Sequence, residues 1–239
     1  MANVAKVSPS ADYPPEPGSY LRGNDYSPVA VVVILRWDRE KTPSSIEELV
    51  RVAVESGAAL AGTLQTENIG LEKVICNLVA NPNIRFLVVC GPETPGHLAG
   101  DAILCLAKSG IDENKRIVGA KALTPYLYNL PRQHVERFRK QLTVIDLVNE
   151  GSPEVVRRPV RSCYQETPTP FRDYNLCDPG AYAEPPLSGT ITWQITTPGN
   201  KPIDAEGRAC VEKARALIDR IKKSVEERKH RENSNLSGS

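Results

Sequence analysis

The sequence predicts an α/β domain in which a mostly parallel sheet carries helices on both faces, followed by a C-terminal extension. Three observations carry this. Two runs, Val29-Ala30-Val31-Val32-Val33-Ile34-Leu35 and Ile84-Arg85-Phe86-Leu87-Val88-Val89-Cys90, are almost continuously apolar and rich in β-branched residues, as strands buried on both faces are. Other segments repeat apolar residues at three-four spacing, the period of an amphipathic helix. The two periods alternate along residues 29–150, and such alternation implies right-handed crossovers between parallel strands. This stretch therefore reads as a Rossmann-like domain, whose ligands bind in the βα loops beyond the carboxyl ends of the strands.

Residues 1–28 are rich in Pro, Gly, Ser and Tyr and show no period. They read as an N-terminal arm lying over the domain or fraying from it. After the first strand, Ser44 and Glu47 stand three apart in a capping-box pattern. Ile46, Leu49, Val50 and Ala53 form the apolar stripe of that helix, and Gly57 suits its C-terminal cap. A short strand over residues 58–64 precedes a second helix with Leu71, Val74, Ile75, Leu78 and Val79 on one face, stopped by Asn81-Pro82-Asn83. The strand over residues 84–90 leads through a Gly/Pro loop into a helix starting near His97. Residues 116–120 and 142–148 read as two further strands, with a helix from Pro131 between them.

From residue 151 to 239 the pattern changes. Residues 152–188 are dense in Pro and Arg with little apolar periodicity, and read as a linker. Residues 190–197 alternate at period two, as an extra strand does. Residues 204–230 form a charged helical stretch with Val211, Ala214, Ile218, Ile221 and Val225 on one stripe. That stripe either docks on the domain or forms the seam of a homodimer. The final residues are polar.

Composition excludes several classes. Thirty basic against twenty-nine acidic residues leave a net charge of +1, which gives no electrostatic footprint for nucleic acid. The longest apolar run, residues 29–35, is far shorter than the roughly twenty residues a spanning helix needs. No signal-peptide pattern opens the chain, so the expectation is a soluble, cytoplasmic protein with no membrane span of its own. The six cysteines include no pair two to four residues apart, which argues against a zinc knuckle. Cys76, Cys90 and Cys105 read as small core hydrophobes. Cys163 and Cys177 flank a proline-rich stretch, and their pairing would need an oxidising compartment.

Candidate chemistry lies in the βα loops. Gly91-Pro92-Glu93-Thr94-Pro95-Gly96-His97 joins a buried strand to a helix, with glycines that permit close approach and helix N–H groups beyond. His97 is the histidine of such a loop; taken alone, a loop histidine is a polar surface residue more often than a ligand. His134 and His230 lie in basic stretches and read as solvated. Thr66, Glu67 and Asn68 open another helix, where they could bind a polar ligand or simply cap the helix. Pro125-Tyr126 follows the predicted 116–120 strand at the same edge. No Gly-x-Gly-x-x-Gly, Walker, Gly-x-Ser-x-Gly or His-Glu-x-x-His pattern occurs.

Several ungapped stretches, in order, are more specific than any one loop. They include residues 17–23, residues 56–62, and Thr66-Glu67-Asn68-Ile69-Gly70-Leu71-Glu72-Lys73-Val74. Asn81-Pro82-Asn83 with the strand behind it, Gly96-His97-Leu98-Ala99-Gly100, and Val135-Glu136-Arg137-Phe138-Arg139 complete the set. Together, from residue 17 to about Asn149, the chain resembles the A subunit of tetrahydromethanopterin S-methyltransferase, the corrinoid-carrying component of an archaeal membrane methyltransferase. The resemblance implies a cobamide cofactor with His97 as catalytic residue and axial ligand to cobalt. A histidine on a Gly/Pro-hinged loop suits a metal that gains and loses an axial donor as it is methylated and demethylated. By loop position, Thr66, Glu67, Asn68, Gly91, Thr94, Gly96, Pro125 and Tyr126 are the candidates for the cobamide crevice.

The stretch from His97 to Gly100 also overlaps the Asp-x-His-x-x-Gly motif of methionine-synthase-type cobalamin domains. Pro95 stands where that motif has its Asp, and Glu93 is the candidate replacement for the carboxylate. Membrane-bound members of the family end in a transmembrane helix, whereas this chain ends in the charged 204–230 stretch. The resemblance thus implies a soluble form that carries a methyl group on cobalt. The methyl group would come from methyl-tetrahydromethanopterin or a related pterin through a partner methyltransferase subunit. The rival reading is a non-catalytic corrinoid- or nucleotide-binding regulatory module.

Overall fold

The computed structural model describes residues 5–36 and 42–191. In chain order the elements are β1 (Tyr20–Arg22), β2 (Val29–Ile34), α1 (Ser44–Glu55), β3 (Leu60–Leu64), α2 (Ile69–Val79), β4 (Phe86–Gly91) and α3 (Ala99–Ser109). There follow α4 (Arg132–Gln141), β5 (Thr143–Val148), α5 (Pro153–Ser162), β6 (Thr169–Phe171) and β7 (Tyr174–Leu176). The main sheet has the order β1-β3-β2-β4-β5. Strands β2 to β5 run parallel, and β1 is antiparallel to β3 at one edge. A separate hairpin pairs β6 with β7.

The continuous apolar run explains why β2 is central. All six of its residues are buried. Ala30, Val32 and Ile34 face the core shared with α2, α3 and α4. Val29, Val31 and Val33 face the opposite core with α1 and α5. Full burial of each such side chain stabilises by about 1.5–3 kcal/mol, so a strand apolar on both faces is stable only with helices above and below it. The fold is the α/β, Rossmann-like architecture that the alternating periods predict.

The N-terminal arm lies on the domain. Its fixing points are asparagine amides, which offer a backbone one donor and one acceptor. Asn83 accepts from the Val7 N–H at 3.0 Å and donates to the Val7 carbonyl at 2.6 Å. Asn77 does the same for Glu16, at 2.8 and 3.0 Å. The arm then supplies β1 to the sheet edge.

Several expectations are corrected. Pro43 takes the N-cap of α1, its carbonyl accepting the Ile46 and Glu47 N–H groups, so Ser44 is already helical and makes no capping bond. Residues 116–120 form no strand; Arg116 and Ile117 make single bridges to Tyr126 and Ile111. The left-handed turn at Lys115 and the positive φ of Gly119 fold this stretch back on itself, while β5 takes the place beside β4. Residues 152–188 are more than a linker, because Val156 and Val160 of α5 are buried against the sheet.

His134, read as solvated, is buried on α4 at 7% exposure. Burial lowers its pKa. The basic character of α4 misled because its arginines reach across to cap neighbouring backbone: Arg132 donates to the Ile111 and Asp112 carbonyls, and Arg139 to those of Ala107 and Lys108. Of the predicted 190–197 strand, Thr190 and Ile191 are in no strand. The rest of it, and the 204–230 helix, lie outside the described residues.

Candidate functional site

Strand β2 has β3 on one side and β4 on the other, so the order reverses there, and in such sheets ligands bind beyond the carboxyl ends of the strands at that point. The β4–α3 loop leaves from that edge. It begins at Gly91, whose φ is +90° and where an added Cβ would stand 2.9 Å from the Ile34 carbonyl oxygen. The position therefore requires glycine. The Gly91 N–H donates to the Glu150 carbonyl at 2.7 Å, tying the loop to the end of β5.

Two residues on, the Glu93 carboxylate folds over the start of α3. It accepts from the N–H groups of Thr94 and Gly100 through Oε1, at 2.9 and 3.1 Å, and of Asp101 through Oε2 at 2.9 Å. A carboxylate there satisfies free helix donors and complements the helix dipole. The buried Thr94 adds its hydroxyl as acceptor for the Ala99 N–H. Glu93 thus serves the helix terminus and is not the carboxylate partner of His97 that its place beside Pro95 suggests.

That partner is Glu67. His97 sits between Gly96 at φ +83° and Leu98 in the left-handed region at φ 41°, a local path that turns its ring outward with 44% of the side chain exposed. Its Nδ1 lies 2.8 Å from Oε2 of Glu67, which is wholly buried. The other oxygen, Oε1, accepts from the Thr124 N–H at 2.9 Å and its hydroxyl at 2.7 Å. The Thr124 hydroxyl accepts in turn from the Asn68 side chain at 3.1 Å. Asn68 is the N-cap of α2, its Oδ1 accepting the Ile69 N–H at 2.7 Å. Three loops, following β3, following β4 and preceding α4, meet in this one chain of hydrogen bonds.

Burial pushes the Glu67 carboxyl up, but hydrogen bonds from Thr124, from its own backbone and from His97 outweigh this and hold it below its ordinary value of 4.5. It is ionised at neutral pH and accepts only. The proton of a neutral imidazole then belongs on Nδ1, and Nε2, on the far side of the ring, keeps its lone pair. Nothing among the described residues bonds to Nε2.

The other sequence candidates take distinct places. The Thr66 hydroxyl accepts the Gly70 N–H at 3.2 Å. Thr66 also lines a cavity of about 280 Å³ between α2 and the sheet, closed by Pro17 to Tyr20, whose lining does not include His97. Pro125 is buried, with its carbonyl accepting the Ile117 N–H. The Tyr126 ring stacks on Tyr128, centroids 5.2 Å apart. Leu123, beside Gly96, is 79% exposed.

Thr124 escaped the sequence reading because nothing in Lys121-Ala122-Leu123-Thr124-Pro125 marks it. The available signal was indirect: a carboxylate buried in a βα loop must find donors. Among the described residues no group of three or more His, Cys, Asp or Glu is placed to hold a metal ion. No helix there is long and apolar enough to cross a membrane.

Comparison with known proteins adds a second line. Residues 6–187 match the family described as the A subunit of tetrahydromethanopterin S-methyltransferase. The match therefore continues through α5 and the β6–β7 hairpin, past residue 149 where the motifs read from sequence stop. The A 1 subunit of that enzyme from Methanothermobacter thermautotrophicus is 40% identical over 171 residues, covering 71% of this chain and 67% of the relative. The A 2 subunit from the same organism is 38% identical over 185 residues, 77% of this chain and 89% of the relative. The A subunit from Methanocaldococcus jannaschii is 35% identical over 188 residues, 78% of this chain and 68% of the relative.

Proposed function

The chain belongs to the family of tetrahydromethanopterin S-methyltransferase A subunits, and from that premise we propose that it is the cobamide-carrying subunit of a pterin-dependent methyltransferase, with His97 as axial ligand to cobalt. One observation carries the reading: a half-exposed histidine at the switch point of the sheet, its Nδ1 held by a buried, ionised glutamate. An axial ligand needs a fixed tautomer and one outward lone pair, and a carboxylate behind the imidazole supplies the first and raises the basicity of the second. The donor set fits a cobamide in a further respect. Such a group would ask the protein for a single nitrogen donor, and His97 would be the residue to supply it.

When bound, a cobamide supplies a cobalt centre that accepts and gives up a methyl group. The residues of the chain bind and orient. His97 offers Nε2; Glu67 fixes the ring and its proton on Nδ1; Thr124 occupies the second oxygen of Glu67 so that the first stays on the histidine. Glu93 anchors the base of the loop on α3. Leu123 next to Gly96 and Ile69 next to Asn68 are exposed apolar side chains at the rim of the site. They offer the cofactor an apolar border.

The methyl donor in this reading is methyl-tetrahydromethanopterin or a related pterin, delivered through a partner methyltransferase subunit. The relatives' names support it, since each is the A subunit of a tetrahydromethanopterin S-methyltransferase. The test is gel filtration after incubation with hydroxocobalamin. Comigration of one corrinoid per chain is expected, and the absence of comigrating corrinoid overturns the proposal.

A further inference from the structure

A second buried carboxylate resembles Glu67 in its bonding and stands five residues further on. Glu72, 1% exposed in the first turn of α2, accepts from the Asn129 N–H through Oε1 at 2.7 Å and from the Asn129 side chain through Oε2 at 2.9 Å. Glu67 takes Thr124 in the same way, by a backbone N–H and a side-chain donor. The two carboxylates are five residues apart, and so are their two clients. The segment from Thr124 to Asn129 is therefore held at one end by the loop that precedes α2 and at the other by α2 itself, each time through a buried carboxylate.

Between those pins the segment belongs to no helix and no strand of the sheet. Its backbone also bonds to residues 115–117, another irregular stretch: the Ile117 N–H donates to the Pro125 carbonyl and the Leu127 N–H to the Lys115 carbonyl. Its placement relative to α2 is set by Leu127, fully buried in the core that α2 lines, and at its two ends by the hydrogen bonds to Glu67 and Glu72. The two are not equivalent. Glu67 serves Thr124 with one oxygen and keeps the other for His97, whereas Glu72 spends both on Asn129.

We infer that Glu72 is a positioning residue for His97: by holding Asn129 it keeps Thr124 seated on Glu67 Oε1, which leaves Oε2 free to fix the imidazole. Loss of the Asn129 anchor lets Thr124 drift. Glu67 can then swing away from the ring, and His97 loses its single tautomer. The functional weight of this inference rests on the reading of His97 as a cobalt ligand, but the geometry itself concerns only residues of the chain.

The experiment is chosen accordingly. Long-range ¹H–¹⁵N correlation spectra of the full protein, without corrinoid, report the tautomer of each histidine, with His97 assigned from His97→Ala. The wild type should show His97 protonated on Nδ1. Glu72→Ala should give a mixture of tautomers, as Thr124→Val should. Glu72→Gln should restore the wild-type pattern, because its carbonyl accepts the Asn129 N–H and its amide faces the Asn129 side-chain carbonyl once that group turns over. Hydroxocobalamin affinity should follow, weakened about tenfold in Glu72→Ala and close to wild type in Glu72→Gln.

A folded Glu72→Ala protein with wild-type His97 signals overturns the inference. If Glu72→Ala does not fold, Asn129→Ala removes the side-chain bond to Glu72 while keeping the backbone one, and should give a partial shift; wild-type signals there overturn it equally. If the wild type binds no corrinoid, the cobamide proposal fails while the tautomer comparison still decides the role of Glu72.

Discussion

Oε2 of Glu67 stands 2.8 Å from Nδ1 of His97, thirty residues away in sequence. The pair joins a buried charge to a half-exposed ring, so a change at the hidden residue is felt at the accessible one.

Glu67→Gln tests that coupling. The Gln amide can still accept from Thr124 through its oxygen, but its NH₂ then faces Nδ1 and donates to it. The imidazole proton moves to Nε2 and the outward lone pair is lost. We expect hydroxocobalamin affinity to fall about 10- to 100-fold, measured by calorimetric titration, with the fold retained by circular dichroism. Unchanged affinity would remove Glu67 from the site.

The same carboxyl has a pH signature. Its folded-state pKa lies below the ordinary 4.5, so it contributes stability that is fully present above about pH 4.5 and is lost as pH falls through the lower folded value. Urea unfolding at pH 7 and at stepwise lower pH should show the wild type converging on Glu67→Gln in the acid range. A gap between the two proteins that stays constant with pH would contradict this.

Gly91 and Gly151 offer a paired test of the loop's backbone. At Gly91 an alanine meets both a positive φ and the Ile34 carbonyl, whereas at Gly151 an added Cβ has nothing within 4 Å. Gly91→Ala should cost about 1–3 kcal/mol, and Gly151→Ala should stay within about 0.5 kcal/mol. Thermal denaturation distinguishes them.

The thiols should divide by burial. Desolvation pushes Cys76, Cys90 and Cys163 up to about 12, so iodoacetamide at pH 8 should leave them unlabelled in the folded protein. Among the cysteines of the described residues, the half-buried Cys105 and Cys177 should label first. Peptide mapping by mass spectrometry reads the order.

How much of this was legible depended on whether the signal was local. β2 and β4 announced themselves because burial on both faces demands consecutive apolar residues, and α2 because its stripe is intact from Leu71 to Val79. Residues 116–120 looked like a strand because Arg-Ile-Val-Gly-Ala is a plausible edge sequence. The turn at Lys115 that prevents it is a left-handed residue that composition does not mark. Buried His134 hid among arginines whose long side chains cap other elements. At the site, His97, Glu67 and Asn68 could be chosen by loop position, but their connection could not. The sequence offers Glu93, in the histidine's own loop, as the partner of His97; the partner is Glu67 from the loop after β3, completed by Thr124 from a third loop. Hydrogen bonds between residues 30 and 57 positions apart leave no periodic trace.

Whether His97 would ligate cobalt is decided by an ultraviolet–visible titration with hydroxocobalamin, run beside His97→Ala. Stoichiometric binding is expected of the wild type, with the spectrum of a corrinoid whose own base has been replaced by histidine, and the variant should lose that spectrum. A variant that binds with the wild-type spectrum would contradict the assignment of His97.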